Sequence, residues 1–209
     1  LCFSIGGETY ATVHRAQVVG LPLILRTSLL GSDDLQAIAS ERFGGWRMRR
    51  LSHAAAIVCT TKAIVQITQE TVRDRSWDDR VRIEKIPNGV DADRFQPAGL
   101  EERVALRRAH GIPDNAFVGI TVGIAYPRKN LDLVLREWSQ IASSKEEAHL
   151  IVLGPRTSQE LGSSYDPDYK LTLEKLIRKE GLEDQLTWRN VEDVRPWLQA
   201  SDVFLFASQ

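Results

Sequence analysis

The chain has 209 residues, 43% hydrophobic and 26% charged, with a formal net charge of −1. This supplies enough apolar mass for a core in one large or two small domains, and the near-neutral balance removes any general electrostatic argument for a nucleic-acid partner. No run of about 18 apolar residues occurs, which excludes a spanning helix. Cys2 and Cys59 alone exclude a disulfide framework or a thiolate metal site, which favours a reducing, cytoplasmic compartment.

The chain opens without Met inside a strand-like run, 1–5, with no basic segment ahead of it to suggest a signal peptide. Further runs follow at 22–26, 56–60, 81–86, 116–123, 149–154, 185–188 and 203–207. Most are continuous apolar stretches without alternation, as expected of strands covered on both faces. Because the chain stops just after the last of these runs, it reads as an internal fragment of a longer protein. Between the strands lie helical patterns. Glu101 to His110 carries acids early, bases late and Gly111 after its end. Leu131, Val134, Leu135, Trp138, Ile141 and Ala142 fall on one helical face, and Tyr169, Leu173, Leu176 and Ile177 repeat the pattern before Gly181. Strands alternating with helices give an α/β fold with parallel sheets. The polar stretch 155–168, with Gly162-Ser163-Ser164, reads as a surface excursion.

The alternation breaks once, at Ile86-Pro87-Asn88-Gly89-Val90-Asp91-Ala92-Asp93-Arg94-Phe95-Gln96-Pro97. Pro87 should end the preceding strand, Asn88-Gly89 is a turn pair tolerant of positive φ, and Phe95 and Pro97 offer apolar anchors. A domain boundary is expected between 88 and 99, giving domains 1–97 and 98–209. A second local signal is Val122-Gly123-Ile124-Ala125-Tyr126-Pro127-Arg128-Lys129-Asn130-Leu131-Asp132. Here a strand hands over to a helix through a loop with two cations. At the carboxyl end of a parallel strand, beside a helix N-terminus, that combination suits a phosphate group. Neither G-x-x-x-x-G-K-[ST] nor G-x-G-x-x-G is present.

The wording I-P-N-G-V-D-x-x-x-F-x-P resembles the connection between the two domains of family 4 glycosyltransferases, also described as glycosyl transferases group 1. These are retaining enzymes of the GT-B fold that use activated sugars. Further resemblances run in order through Leu51-Ser52-His53-Ala54-Ala55-Ala56-Ile57-Val58-Cys59-Thr60-Thr61, the strand His149 to Pro155, the element Leu182 to Asn190, and the strand Leu198 to Ser208. The resemblance implies parts of two Rossmann-like domains facing across a cleft. It also implies a nucleotide-sugar donor, a glycan, lipid or small-molecule acceptor, and no metal cofactor. The family motif V-G-R-L-x-x-x-K-G places Gly123 and Lys129 at the donor diphosphate, with Arg128 on the same loop and Gly154 at a second glycine turn near the donor. Ile124 stands where the motif has Arg, and Asn130 and Asn190 stand where Gly is usual. The His that many members carry after the second strand would fall near Thr27-Ser28, and none is there.

The leading expectation is therefore a glycosyltransferase, inactive as this piece alone. The alternatives are a non-catalytic sugar- or phosphate-binding relative, favoured by the substituted motif positions, and a nucleotide-sugar epimerase-like protein of the same fold. His14, His53, His110 and His149 are scattered and read as packing or surface residues rather than metal ligands. Arg42, Arg47, Arg49 and Arg50 with Trp46 suggest either a solvated helix face or peripheral contact with an anionic membrane.

Overall fold

The computed structural model describes residues 2–6, 9–145, 147–161 and 166–208. Gly162-Ser163-Ser164 of the expected excursion lie outside the described residues. The chain divides into two compact units, Leu1–Val90 and Asp91–Gln209. This division falls inside the 88–99 stretch but leaves the turn 91–97 with the second unit.

The first unit runs β1 (Cys2–Ser4), α1 (Thr9–Val18), β2 (Ile24–Thr27), α2 (Leu35–Ser40), α3 (Gly44–Leu51), β3 (Ala56–Cys59), α4 (Lys62–Asp74) and β4 (Arg82–Lys85). Its sheet is parallel throughout, in the order β1-β2-β3-β4. Leu25 and Ile57, paired across β2 and β3, are fully buried and form one core with Met48, Leu51 and Ile64. Thr61 caps α4 by accepting from the Ile64 N–H.

The second unit runs α5 (Leu100–Ala109), β5 (Phe117–Val122), a 3-10 turn (Pro127–Lys129), α6 (Leu131–Ser144), β6 (Ala148–Leu153), α7 (Ser158–Leu161), α8 (Pro167–Lys179), β7 (Leu186–Arg189), α9 (Arg195–Ala200) and β8 (Val203–Phe204). The sheet order is β7-β6-β5-β8, again parallel. The helical face expected for α6 is the buried one, with Leu131, Val134, Leu135 and Trp138 inside. A Cβ at Gly119 would lie 2.4 Å from the Trp138 ring, so this strand needs glycine to admit the indole. β6 is buried at every position, and its His149 meets the Thr187 hydroxyl at 2.8 Å. Burial lowers the pKa of His149 and favours the neutral ring.

Each predicted run contains a strand, but the last is much shorter than expected. Only Gly119 and Ile120 of β5 pair with β8; beyond Leu205, whose N–H reaches the Ile120 carbonyl, the Ala207 carbonyl accepts from the Asn130 side chain instead. The Asn88-Gly89 pair also differs from expectation, since neither residue has positive φ. Instead, Asn88 accepts from the Arg26 guanidinium on β2, and the turn proper comes later, where Asp91 caps the Arg94 N–H at 3.0 Å.

The least foreseen packing is in α5, whose buried residue is Arg107. Its guanidinium donates to the carbonyls of Ala200 (3.0 Å), Asp114 (2.8 Å) and Ala116 (3.0 Å), and to Asp202 Oδ2 (2.8 Å). Asp202 also receives Arg103 and, at 2.7 Å, the Val118 N–H. Removing the carboxylate would leave a buried guanidinium without its counter-charge. Asp202→Ala should therefore destabilise the protein by about 3 kcal/mol in chemical denaturation, and an effect below about 1 kcal/mol would contradict the hub role.

Candidate functional site

Ligand crevices in parallel sheets form outside the carboxyl ends of strands, where the strand order reverses. In the second unit β5, β6 and β7 progress to one side, and β8 returns to the other side of β5. The reversal therefore lies between β5 and β8. A shallow cleft opens there, lined by Gly123, Ile124 and Lys129 after β5 and by Phe206, Ala207 and Ser208 after β8.

Backbone geometry builds this cleft. The Gly123 N–H donates to the Leu153 carbonyl and the Gly154 N–H to the Arg189 carbonyl, both at 2.8 Å, extending the sheet past its strands. Gly154 has φ +146°, and a Cβ there would lie 2.0 Å from the Gly123 carbonyl oxygen. Only glycine lets these two strand ends meet. A Cβ on Gly123 would sit 3.4 Å from Cδ of Lys129, so the lysine stem passes directly over this residue. The Lys129 ammonium reaches 5.8 Å from the centroid of the Phe206 ring, a cation–π distance. Lys129 makes no ion pair among the described residues.

The structure thus brings Lys129 and Gly123 together at the cleft, while Gly154 does not line it and abuts the Gly123 carbonyl from the end of β6. Arg128 is exposed on the same turn, and its carbonyl accepts from Ser208 Oγ at 3.4 Å. The N-terminus of α6 is less open to an anion than its position suggests. The Asp132 N–H already donates to Tyr169 Oη (3.3 Å), and that hydroxyl donates back to Asp132 Oδ1 (2.9 Å). Burial pushes the Tyr169 pKa up to about 12, so the hydroxyl stays protonated.

Three contacts were not legible as site features in the sequence. Phe206 is 68% exposed beside the cleft and stacks on Phe204 with centroids 6.2 Å apart. Asn130 occupies the left-handed region (φ 47°, ψ 43°), and its side-chain amide donates to the Ala207 carbonyl at 2.9 Å. Asn190 donates to Glu160 at 2.8 Å, joining α7 to the end of β7. Glu160 is held at a pKa of about 2 by the Thr157 hydroxyl, with the Arg156 and Thr157 N–H groups and the Asn190 amide adding to it. A sequence signal for Glu160 did exist: Thr157-x-x-Glu160 is a capping box.

In the first unit, the loop after β2 is organised by Asp33. Its carboxylate accepts from Thr27 Oγ1 (2.9 Å), the Ser28 N–H (2.9 Å) and the Leu29 N–H (2.7 Å). The hydroxyls of Thr27 and Ser28, where a family histidine would fall, are therefore both bonded internally. Elsewhere in this unit Arg47 lies over the Tyr10 ring (5.1 Å) and Arg50 over Trp46 (5.5 Å), while Phe43 and Trp46 are 60% and 51% exposed. Among the described residues no group of His, Cys, Asp and Glu is placed to hold a metal, and no helix is long and apolar enough to cross a membrane.

Two Rossmann-like parallel-sheet units joined at a loop, with a cationic cleft at the second unit's switch point, make this a GT-B-type protein. The model of the family described as glycosyl transferases group 1 matches residues 102–209, and the chain belongs to that family. It is 30% identical over 162 residues to a UDP-Gal:alpha-D-GlcNAc-diphosphoundecaprenol alpha-1,3-galactosyltransferase of Escherichia coli, covering 73% of this chain and 38% of that protein. It is 26% identical over 202 residues to a D-inositol 3-phosphate glycosyltransferase of Streptomyces scabiei, covering 90% of this chain and 43% of the relative. Among solved structures, HepE of Anabaena in complex with UDP and glucose superposes with a TM-score of 0.72 at 16% identity, over 99% of this chain and 52% of that one. The chain thus spans less than half the length of these curated relatives.

The close approach of the two glycines is directly testable. Gly154→Ala must push the β5 and β6 ends apart, and should cost about 2–4 kcal/mol of stability. Thermal unfolding with an unchanged midpoint would show that the strand ends tolerate a methyl group.

Proposed function

We propose that the protein containing this chain is a glycosyltransferase that moves a sugar from a nucleotide-sugar donor to a glycan, lipid or small-molecule acceptor. The observation that carries the reading is the Lys129 ammonium, seated across Gly123 at the switch point and free of any carboxylate among the described residues. When the bond between sugar and diphosphate breaks, negative charge grows on the leaving diphosphate. A fixed cation at that point stabilises the transition state more than the ground state. Gly123 lets phosphate oxygens approach the backbone, Gly154 lets the β6 end pack against Gly123, and Arg128 adds a second charge on the turn outside the cleft's lining. The cationic role falls to these side chains and needs no metal ion. The names of the relatives support this donor class, since they include a UDP-Gal transferase and a GDP-mannose-dependent mannosyltransferase.

Ile124 favours a second reading, a binding protein that does not turn over, because it lines the cleft where the family motif has an arginine. Release of nucleoside diphosphate by the full-length protein in a donor screen separates the two readings. Lys129→Ala should weaken binding of UDP or GDP at least about tenfold by calorimetry; unchanged affinity would reject Lys129 as the diphosphate ligand.

The α1–α3 face supports a further element of the proposal, peripheral contact with an anionic membrane surface by a cytoplasmic enzyme. Tyr10, His14, Phe43 and Trp46 line one groove with Arg47 and Arg50, combining interfacial aromatic rings with cations that attract acidic headgroups. The full-length protein should float with vesicles containing acidic phospholipid but not with phosphatidylcholine alone. Trp46→Ala together with Arg50→Ala should abolish that flotation; equal recovery of the double variant would remove the membrane role from this face.

A further inference from the structure

Asn130 is a residue of the cationic turn to which the family motif assigns no side-chain role, because the motif has Gly there. Its backbone explains part of the substitution. At φ 47° and ψ 43° it closes the 3-10 turn by donating its N–H to the Pro127 carbonyl at 2.9 Å. After glycine, asparagine is among the residues that adopt this region most readily. The side chain goes further, donating from Nδ2 to the Ala207 carbonyl on the opposite wall of the cleft. Ala207 directly follows Phe206, whose ring faces the Lys129 ammonium. The residues that follow β8 have few backbone partners of their own: the ladder ends at Phe204, with one further bond from the Leu205 N–H.

We infer that Asn130 is a positioning residue for the diphosphate site: by bolting Ala207 to the turn it fixes the Phe206 ring, and the ring holds the Lys129 ammonium over the cleft. The amide couples the two walls of the switch point at 2.9 Å, beside the longer 3.4 Å contact from Ser208 Oγ to the Arg128 carbonyl. Without it, Lys129 keeps its charge and its stem stays over Gly123, but the ammonium loses the ring that holds it in place, and some of that order must be supplied when ligand binds. This rests on the reading of Lys129 as the diphosphate ligand.

The test uses the full-length protein, with UDP and GDP titrated by calorimetry against wild type, K129A, N130G, F206L and N130G/F206L, and thermal midpoints measured in parallel. Glycine accepts the left-handed turn, so N130G removes the amide while preserving the backbone. It should leave the thermal midpoint within a few degrees yet weaken nucleotide binding about fivefold, the worth of one hydrogen bond. F206L should show a similar loss, and the double variant should be no weaker than the worse single, because the two residues act in series. If K129A loses about tenfold or more while N130G stays within about twofold of wild type, the inference is overturned and the diphosphate reading stands. Additive losses in the double variant would likewise overturn the route through Phe206. If K129A binds as wild type does, or wild type binds neither nucleotide, the diphosphate reading falls and takes the inference with it. Should N130G fail to fold, F206L carries the test alone, since an exposed ring can be replaced without disturbing the core.

Discussion

The second unit is tied together by one ion pair, the buried Arg107 with the solvent-accessible carboxylate of Asp202. A guanidinium inside a protein is stable only when its donors and its charge are both matched. Here three carbonyls and a carboxylate match it. The same carboxylate receives the Val118 N–H, so one residue ties helix α5, the start of β5 and the short strand β8 together. β8 has too few ladder bonds to place itself. The residues that follow it, Phe206 to Ser208, reach the cleft from a strand whose start is held by Asp202.

From that anchoring the site follows. β8 lies beside β5 on the side opposite β6, which creates the switch point. The crevice at a switch point is a consequence of chain direction rather than of any particular side chain. What makes this one cationic is Lys129, and what makes it accessible is the pair of glycines at the ends of β5 and β6. The methyl group that any other residue would carry at Gly154 has no room beside the Gly123 carbonyl. The first unit organises its corresponding loop differently, with the Asp33 carboxylate gathering hydroxyl and backbone donors after β2.

Departures from the family pattern have distinct physical accounts. Asn130 takes the left-handed conformation that glycine would provide and uses its amide across the cleft. Asn190 spends its amide on Glu160, which fastens the loop after β6 to the end of β7. Ile124 replaces a cation with an apolar group, and among the described residues that line the cleft Lys129 alone is cationic. The arginine next along the turn, Arg128, is exposed and does not line the cleft.

The sequence by itself determined the strand positions, the buried face of α6 and the family. Each rests on local chemistry: unbroken apolar runs, a 3.6-residue period, and short motifs in fixed order. It also marked Lys129 and Gly123, because a cationic loop between strand and helix is visible without coordinates. The tertiary structure decided which residues meet. Arg107 reads as an ordinary helix-end charge until its carbonyl partners surround it, and Asp202 lies far from it along the chain. Phe206 reads as the tail of a core strand, yet it faces Lys129, because β8 leaves the sheet after Phe204. The Asn88-Gly89 pair reads as the turn itself, but neither residue has positive φ, Asn88 meets Arg26 instead, and the turn is capped later by Asp91. In each case the deciding partner is remote in sequence, and only the packed sheet brings the two together.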